Sequence, residues 1–339
     1  DGRFIVAWGD RYSEDGSYWM QGYVRVFGAD GSPLTDAIAV DDTPLTYQTL
    51  DDLQIDESGD FIVAWEQRRE GACGVYLRRF HADGTPKEET FAAWEDAVSY
   101  EYYEVDLEAV GADQTAVVWR RRGYRGLPPM TALRILGPDG QWDTDVIVVD
   151  EGGTDSQYSA PKAMAVGDSQ VLIKYDRSTR SYLRTYNLDG VPADDASEID
   201  VPDMGYLFGS RVCRHASGAM ALVDYQYGNK IVMLEPDGEP MGPAVEVYYR
   251  DTFDWLTFLP DGRVLVTWTG YDSDDSGVLA KVFPGITDDF VFHMDLARGE
   301  VREGVDFGQY EINTAISGQA YEDTDGDGTR DAAEGSLNG

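Results

Sequence analysis

The sequence predicts an all-β chain whose main part is a β-propeller of about six blades, each blade a four-stranded antiparallel sheet. A short apolar strand that ends in Trp or Tyr recurs about every 50 residues along most of the chain. A second strand follows it in each unit and leads into a tight turn, most often Asp-Gly, which is the strongest short signal for a hairpin. No segment of useful length shows helical periodicity bounded by capping residues. These three observations favour short antiparallel strands over helices.

The two recurring strands define six units. The apolar strand that ends in an aromatic residue occupies 4–8, 61–65, 116–119, 171–175, 219–225 and 264–268. The strand before the turn occupies 24–27, 77–80, 133–136, 183–186, 231–234 and 279–283. In the second unit we expect strands near 50–56, 60–66, 73–81 and 88–93. Four short strands per unit indicate a propeller over residues 1–285, with an open solenoid or a string of sandwiches as the main alternative; sandwich domains need about seven strands each.

The first and last units are incomplete in this sequence. The first begins at its second strand and the sixth ends after its third, so we expect residues before Asp1 to close the ring by pairing its two ends. The chain also begins without Met and without a signal peptide, which predicts an internal fragment of a larger protein. Without closure, the exposed edge strands would promote self-association.

Arginines alternate with apolar positions in the strand before each turn. They are Arg25, Arg78, Arg134 and Arg184, and their spacing fits a strand with one buried and one polar side. One interpretation is a functional basic track. The favoured one pairs each arginine with an Asp of a neighbouring turn, because charged strand residues usually remain at the surface with a partner.

The chain is strongly acidic, with a formal net charge of −36. This charge argues against nucleic acids and anionic membrane surfaces as partners, because they are bound through Lys and Arg. The charge favours cations, basic partners or a salty medium, although solubility alone also explains such a surface. No segment is long and apolar enough to cross a bilayer, so we expect no direct membrane insertion.

No catalytic constellation stands out in the sequence. The three histidines, His81, His215 and His293, lie in different units without ligand spacing and are interpreted as strand or turn residues. Cys73 and Cys213 fall in predicted strands of different units and are interpreted as buried thiols. Acidic pairs such as 51–52 and 274–275 are too common to identify a general acid and base. For the cluster 272–276 a solvated loop is favoured over a second cation site.

The repeats also carry a family resemblance. A Gly-containing turn, an apolar strand ending in Trp, an Arg-Phe strand and Asp-Gly together resemble the propeller-like repeats of large secreted bacterial proteins, over residues 1–285. The repeats lack the Ser-x-Asp-x-Gly-x-Thr-Trp motif of sialidase-type propellers. A glycosidase function is therefore less favoured.

The sequence changes character after residue 285. Residues 286–314 are predicted to be a connecting β segment, and the acidic loop 323–334 matches the calcium pattern D-x-[DN]-x-[DN]-G-x5-E at every defined position. Calcium takes about 6–8 oxygen ligands, which one such loop supplies. The predicted ligands are Asp323, Asp325, Asp327, Thr329 through its carbonyl, Asp331 directly or through water, and Glu334. The flanks do not read as amphipathic helices, so a structural clamp is favoured over a calcium switch, and a solvated acidic turn is the alternative.

The last part of the chain resembles the boundary between two SdrD B-like domains of bacterial surface adhesins. Residues 305–308 match the strand that ends one such domain, and 316–337 match the stretch that opens the next, with departures at Gln309 and Ser336. The resemblance implies that residues 315–339 are the truncated start of a calcium-stabilised sandwich. It also implies an extracellular, secreted or cell-surface protein with further domains in the same polypeptide.

Three functions are compatible with these features. The favoured one is a noncatalytic extracellular scaffold or adhesin fragment, in which propeller loops bind a carbohydrate or protein ligand and a calcium loop braces the following domain. The second is a secreted hydrolase or lyase acting on polysaccharide, with its site in the central funnel of the propeller. A dockerin-like assembly module is the third, but it needs two calcium loops and the sequence contains one.

Overall fold

The structure is a computed structural model that describes most of the chain up to residue 283. The described residues are 2–14, 17–42, 47–56, 58–69, 72–96, 103–111, 113–123, 128–151, 160–177, 180–201, 204, 210–223, 230–246, 253–259, 261–271 and 276–283. The chain divides into two units, Asp1–Thr287 and Asp288–Gly339, and all described residues belong to the first.

Within these ranges the chain is entirely β. Its strands are β1 (Phe4–Glu14), β2 (Ser17–Phe27), β3 (Ile38–Ala39), β4 (Tyr47–Ile55), β5 (Phe61–Arg69), β6 (Ala72–Phe80), β7 (Phe91–Asp96), β8 (Tyr103–Val110), β9 (Gln114–Arg121), β10 (Met130–Leu136), β11 (Ile147–Glu151), β12 (Lys162–Val166), β13 (Gln170–Arg177), β14 (Arg180–Asn187), β15 (Ser197–Glu198), β16 (Arg211–Arg214), β17 (Met220–Val223), β18 (Lys230–Leu234), β19 (Val245–Glu246), β20 (Phe253–Phe258), β21 (Val264–Tyr271) and β22 (Ser276–Phe283). Within the described ranges there is no helix of the length and apolarity needed to span a membrane.

The strands form six consecutive antiparallel sheets, which are the blades of a β-propeller. Blade 1 contains β1–β3, blade 2 β4–β7, blade 3 β8–β11, blade 4 β12–β15, blade 5 β16–β19 and blade 6 β20–β22. Each blade is a simple up-and-down meander, and one parallel bridge between Met20 and Tyr47 links the first two blades. The predicted all-β propeller is therefore confirmed, with three described strands in blades 1 and 6 and four in the others.

The core of the molecule lies between the blades. The first strands of blades 2 to 6, which are β4, β8, β12, β16 and β20, each contact the next one in the series. Five apolar clusters fill the five spaces between successive blades; the largest includes Ile62 and Leu77 from blade 2 with Val117 and Trp119 from blade 3. Both faces of an inner blade are thus buried, which explains why the recurring strands are nearly continuous apolar runs.

Cross-strand aromatic pairs explain the recurring Trp and Tyr. Trp65 stacks on Tyr76 with ring centroids 6.4 Å apart, and Phe61 stacks on Phe80 at 4.9 Å. Both pairs join residues that lie directly opposite each other in β5 and β6. Such pairs stabilise one register of the hairpin over the others. The anchor proposed at residue 225 lies outside the described residues.

The Asp-Gly turns after the third strand of a blade share one geometry. In blade 2 the Asp83 carboxylate accepts the backbone N–H of Thr85 at 2.9 Å, and Gly84 adopts a φ of 83°. A β-carbon at Gly84 would lie 2.4 Å from Ile38 Cδ1 in blade 1, so this turn packs closely against the preceding blade. Glycine is needed here both for the positive φ and for this close approach.

The strand arginines are not paired as the sequence suggested. Nε of Arg25, Arg78 and Arg134 donates to the carbonyl oxygens of Thr35, Glu88 and Thr144, at 2.8, 3.0 and 3.1 Å, and Arg184 makes a longer bond of the same kind to Asp194. Each guanidinium also lies over an aromatic ring of its own blade. Arg78 alone of these four has a carboxylate within the described residues, Asp42 at 3.1 Å. The expected Asp pairing was therefore wrong for the other three. The arginines act as braces: each bonds within its own blade, and Arg78 and Arg134 also donate to carbonyl oxygens of the preceding blade, those of Val40 at 3.3 Å and Ala93 at 3.4 Å.

Candidate functional site

The residues predicted to bind calcium lie outside the described residues. These are Asp323, Asp325, Asp327, Thr329, Asp331 and Glu334, together with the connecting segment 286–314. Residues 272–275 of the cluster 272–276 also lie outside them. Within the described ranges, no group of three or more His, Cys, Asp or Glu side chains is arranged to hold a metal ion.

The charged site that the structure does describe lies along the innermost strands of the propeller. Asp52 on β4, Asp106 on β8, Lys162 on β12 and Arg211 on β16 occupy equivalent positions, each four residues before the turn that ends its strand. Two successive blades thus carry a carboxylate at this position, and the next two carry a cation. The charge at this position therefore changes from negative in blades 2 and 3 to positive in blades 4 and 5.

The carboxylates bridge neighbouring blades. Asp52 Oδ2 accepts the backbone N–H of Leu107 at 2.8 Å, which ties blade 2 to blade 3. Asp106 Oδ2 accepts the N–H of Ala163 at 2.8 Å, and Glu108 Oε1 accepts the N–H of Ala165 at 3.0 Å. These two bonds tie blade 3 to blade 4. Charge-assisted bonds of this kind replace the ladder that is missing between adjacent inner strands.

Cations complete this network. Lys162 Nζ donates to Asp106 Oδ1 at 2.6 Å, so both oxygens of Asp106 are bonded. Arg214 Nη1 of blade 5 donates to the carbonyl oxygen of Ala165 at 2.6 Å. The backbone of Ala165 is therefore held from two sides, by Glu108 of blade 3 and by Arg214 of blade 5.

Burial changes the protonation of these groups. It raises the pKa of Asp106 to about 7, and the nearby Lys162 only partly opposes this effect. Burial also raises the pKa values of Asp52 and Glu108. For Lys162, burial acts to lower the pKa, but the charges of Asp106, Asp52 and Glu108 together raise it. Burial lowers the pKa of Arg214, which stays far above neutrality for a guanidinium.

A cleft opens where the carboxylate series ends. It has a volume of about 370 Å³ and is lined by residues of β8, β12, β16, β20 and the turn after β16, among them Glu108, Lys162, Met164, Arg214, His215 and Thr257. Charged, polar and apolar groups all reach it. It is therefore a place where a small polar molecule could be bound in the channel.

A buried lysine joins blades 4 and 5 in a similar way. Lys174 on β13 is 0% exposed, and its Nζ lies 2.7 Å from Asp176 Oδ1 and donates to the Ser210 carbonyl at 3.1 Å. Ser181 Oγ also donates to Asp176, at 2.5 Å. Burial lowers the pKa of Lys174, and Asp176 opposes that effect. This group is enclosed and makes no part of the cleft lining.

A further group of charges comes from β4, β5 and β8 and from Arg122, which follows β9. Glu66 is 2% exposed and pairs with Arg68, while Glu104 Oε1 accepts a bond from Arg122 Nη2 at 3.2 Å. Burial, followed by the charges of Glu66 and Glu104, raises the pKa of Asp51 well above its usual range. The structure thus separates Asp51 and Asp52, which are adjacent in sequence, into different networks.

The histidines and cysteines agree with their sequence interpretation where they are described. His215 lies in the turn after β16, and its Nδ1 accepts the N–H of Ser217 at 3.1 Å, the role that Asp plays in other turns. His81 follows β6, with Nδ1 3.8 Å from Asp60 Oδ2. Cys73 and Cys213 are buried thiols in blades 2 and 5, as predicted. Burial raises the pKa of Cys213 to about 12, so it is protonated at neutral pH.

Comparisons with known proteins establish the fold. No protein-family model matches the sequence, and no curated protein matches it. The chain is similar in structure to a protein of unknown function from Dyadobacter fermentans, with 10% sequence identity and a TM-score of 0.52 over 83% of this chain and 91% of that one. It is also similar to prolyl oligopeptidase B from Galerina marginata, with 13% identity and a TM-score of 0.51 over 85% of this chain and 41% of that one. The chain thus spans less than half of the oligopeptidase, and at this identity both similarities concern the fold alone.

Proposed function

We propose that this chain is a noncatalytic extracellular or cell-surface scaffold, in which the propeller presents binding loops and a calcium loop braces the following segment. The observation that carries the proposal is the commitment of the channel carboxylates. Asp52, Asp106 and Glu108 each accept a backbone N–H of the neighbouring blade. A carboxylate that holds two blades together is a structural group, because moving its oxygens to a substrate would break the bond between the blades.

The ligand class follows from the surface charge and the fold. A net charge of −36 favours cations and basic or neutral partners over anionic polymers. A carbohydrate or protein ligand at the propeller loops fits this scaffold, as does location in a salty or calcium-rich extracellular medium. The resemblance of residues 305–339 to SdrD B-like domains supports the secreted or cell-surface setting and further domains in the same polypeptide.

The calcium part of the proposal rests on the loop 323–334. We expect the chain to bind one Ca²⁺ through Asp323, Asp325, Asp327, the Thr329 carbonyl, Asp331 and Glu334, since these residues match every defined position of the pattern. Calorimetric titration of CaCl₂ into the chain should give a one-site isotherm. The isotherm should disappear in Asp325→Ala and persist in Asp237→Ala, which changes a propeller turn instead. Equal calcium binding by the chain and by Asp325→Ala would disprove the assignment.

A secreted polysaccharide hydrolase or lyase is the second candidate. It is favoured by one observation: Asp106, with a pKa of about 7, lies beside Lys162 near a cleft in the channel. Against it, both Asp106 oxygens are already bonded. Release of reducing ends or unsaturated products from neutral and acidic polysaccharides should be undetectable. Activity that is lost in Glu108→Gln would replace the scaffold proposal with the enzyme.

A further inference from the structure

Carboxylates cap the free edges of the inner strands in the first part of the propeller. Successive residues of an antiparallel strand point their N–H groups alternately toward and away from the paired strand. The N–H groups of Leu107, Ala163 and Ala165 point away from their partners and toward the preceding blade. Each is bonded by a carboxylate of that blade, at 2.8 to 3.0 Å.

The described residues provide one cap between blades 2 and 3, two between blades 3 and 4, and none between blades 4 and 5. In blade 2, Gln54 stands at the position of Glu108, and its Oε1 has no hydrogen-bond partner. The positions of Asp106 and Glu108 are held in blade 4 by Lys162 and Met164, whose side chains are poor or absent acceptors. The residues of β16 equivalent to Ala163 and Ala165 are Val212 and Arg214, by the register of both hairpins. The bond from the His215 N–H to the Ala219 carbonyl sets the alternation of this hairpin, so the N–H groups of Val212 and Arg214 point away from β17 and toward blade 4. Among the described residues, no side chain of blade 4 accepts either of them.

The cleft lies at this interruption. Its lining includes Met164 and Ala165 from β12 and Cys213 and Arg214 from β16. Arg214 uses Nη1 to hold the Ala165 carbonyl, and its remaining N–H groups are available for a ligand. Two cations, Lys162 and Arg214, and one carboxylate, Glu108, line the cleft. Lys162 is paired with Asp106, and burial raises the pKa of Glu108, which favours its neutral form.

We propose that the cleft binds the carboxylate group of a small organic ligand. The bound carboxylate takes the place between blades 4 and 5 that Glu108 holds between blades 3 and 4. It accepts the backbone N–H of Arg214, and the Arg214 guanidinium balances its charge. The volume of about 370 Å³ accommodates a molecule of several heavy atoms beyond the carboxylate itself. This site goes beyond the proposed scaffold function, and neither the loop ligand nor the calcium loop depends on it.

Acetate and acetamide provide a matched pair of probes, since they share a shape and differ in charge. Saturation-transfer difference NMR on the methyl signal, with the full chain, should give a saturable response for acetate and at most a much weaker one for acetamide. Equal responses for the two probes would overturn the proposal. So would the lack of any acetate response at the highest acetate concentration at which the protein stays folded and in solution. This comparison requires no variant.

Variants locate the site. Arg214→Gln should weaken acetate binding by at least about tenfold, because a hydrogen bond to a charged group is lost together with its balancing charge. Arg211→Gln changes an exposed arginine on the same strand and should leave the acetate affinity unchanged. Met164→Glu supplies the missing carboxylate from the protein itself and should abolish acetate binding in the folded chain. Acetate affinity that is unchanged in folded Arg214→Gln, or equally reduced in Arg211→Gln, would place the site elsewhere.

Discussion

Asp106 shows how one residue can stabilise contacts between blades and still make the fold sensitive to pH. Its pKa is about 7 in the folded chain, against about 4 for an unfolded aspartate. Between these values the folded state binds more protons than the unfolded state, so the free energy of unfolding falls as the pH rises. The carboxyl group therefore opposes stability most at neutral and higher pH, where burial holds a charge that water would solvate better.

Substitution of Asp106 tests the direction of this pH dependence of stability. We expect the free energy of unfolding of the parent, from urea titrations followed by Trp fluorescence, to decrease between pH 5.5 and 8. Asp106→Asn should make that decrease smaller, by a few kcal/mol at most, because one pKa unit corresponds to about 1.4 kcal/mol. Asn resembles the protonated carboxyl group, so the variant should be least stable relative to the parent at pH 5.5 and should improve relative to it toward pH 8. The slope is therefore the diagnostic quantity.

Asp30→Asn is the control for this slope. Asp30 is exposed in a turn, where hydrogen bonds from Ser32 lower its pKa. The contribution of Asp30 to folding stability is therefore present above the unfolded pKa of the residue. It is lost only in acid, below the range of pH 5.5 to 8. The slope between pH 5.5 and 8 should match that of the parent. A parent-like slope in Asp106→Asn would mean that another buried acid sets the pH dependence.

Among the elements, the Asp-Gly turns couple each blade to the one before it. Gly31 and Gly84 have nearly the same φ, 80° and 83°, in equivalent turns. A β-carbon at Gly31 meets nothing within 4 Å, whereas one at Gly84 would lie 2.4 Å from Ile38 Cδ1. Gly31→Ala should cost about 1–2 kcal/mol of unfolding free energy for the left-handed backbone. Gly84→Ala should cost about 1–3 kcal/mol more, because the turn must also move away from blade 1.

The double variant Gly84→Ala/Ile38→Val separates the cost of the left-handed backbone from the cost of the contact with Ile38. Valine lacks the Cδ1 methyl group that the new β-carbon would meet, so the double variant should recover part of the lost stability. Ile38→Val alone should cost about 0.5–1.5 kcal/mol. Urea unfolding of the four proteins gives the coupling directly. Equal losses for Gly31→Ala and Gly84→Ala would show that the turn has room in solution and that only the φ angle matters.

The strands were predictable because their signals are local. In the second unit the expected strands near 50–56, 60–66, 73–81 and 88–93 correspond to Tyr47–Ile55, Phe61–Arg69, Ala72–Phe80 and Phe91–Asp96. Alternation, aromatic residues and Asp-Gly turns determine such elements within a few residues of sequence. The boundaries differ because the ends of a hairpin depend on its pairing partner.

The channel network was not predicted, because its bonds join residues about 55 positions apart. Asp52 is bonded to Leu107 and Asp106 to Ala163 only because equivalent positions of successive blades become neighbours around the axis. One signal was present: Asp52, Asp106 and Lys162 stand at the same distance before the aromatic anchors Trp65, Trp119 and Tyr175. Alignment of the units on those anchors brings the three charges into one column. The partners of the arginine braces were not predicted for a different reason. Every residue has a backbone carbonyl, so the sequence does not indicate which of them accepts a bond.

At the scale of the whole molecule, the net charge of −36 acts on every contact described above. Like charges repel more strongly in the compact state than in the expanded chain, so the charge excess destabilises the fold at low ionic strength. Salt screens this repulsion over about 10 Å at 0.1 M and about 3 Å at 1 M. The channel bonds between Asp52, Asp106, Glu108 and the neighbouring blades are short and partly buried, so salt weakens them much less than it weakens the long-range repulsion.

The stability of the chain should therefore increase with salt. We expect the urea midpoint of unfolding to rise steeply between 0.02 and 0.3 M NaCl and then level off, with calcium excluded by a chelator so that the loop 323–334 does not contribute. KCl should give the same curve, because screening depends on ionic strength rather than on the identity of the cation. A control titration with sucrose separates screening from preferential exclusion, which grows steadily with concentration and does not level off. A midpoint that stays constant or falls with salt would show that local ion pairs, such as Arg79 with Glu88 and Lys162 with Asp106, outweigh the repulsion of the acidic surface.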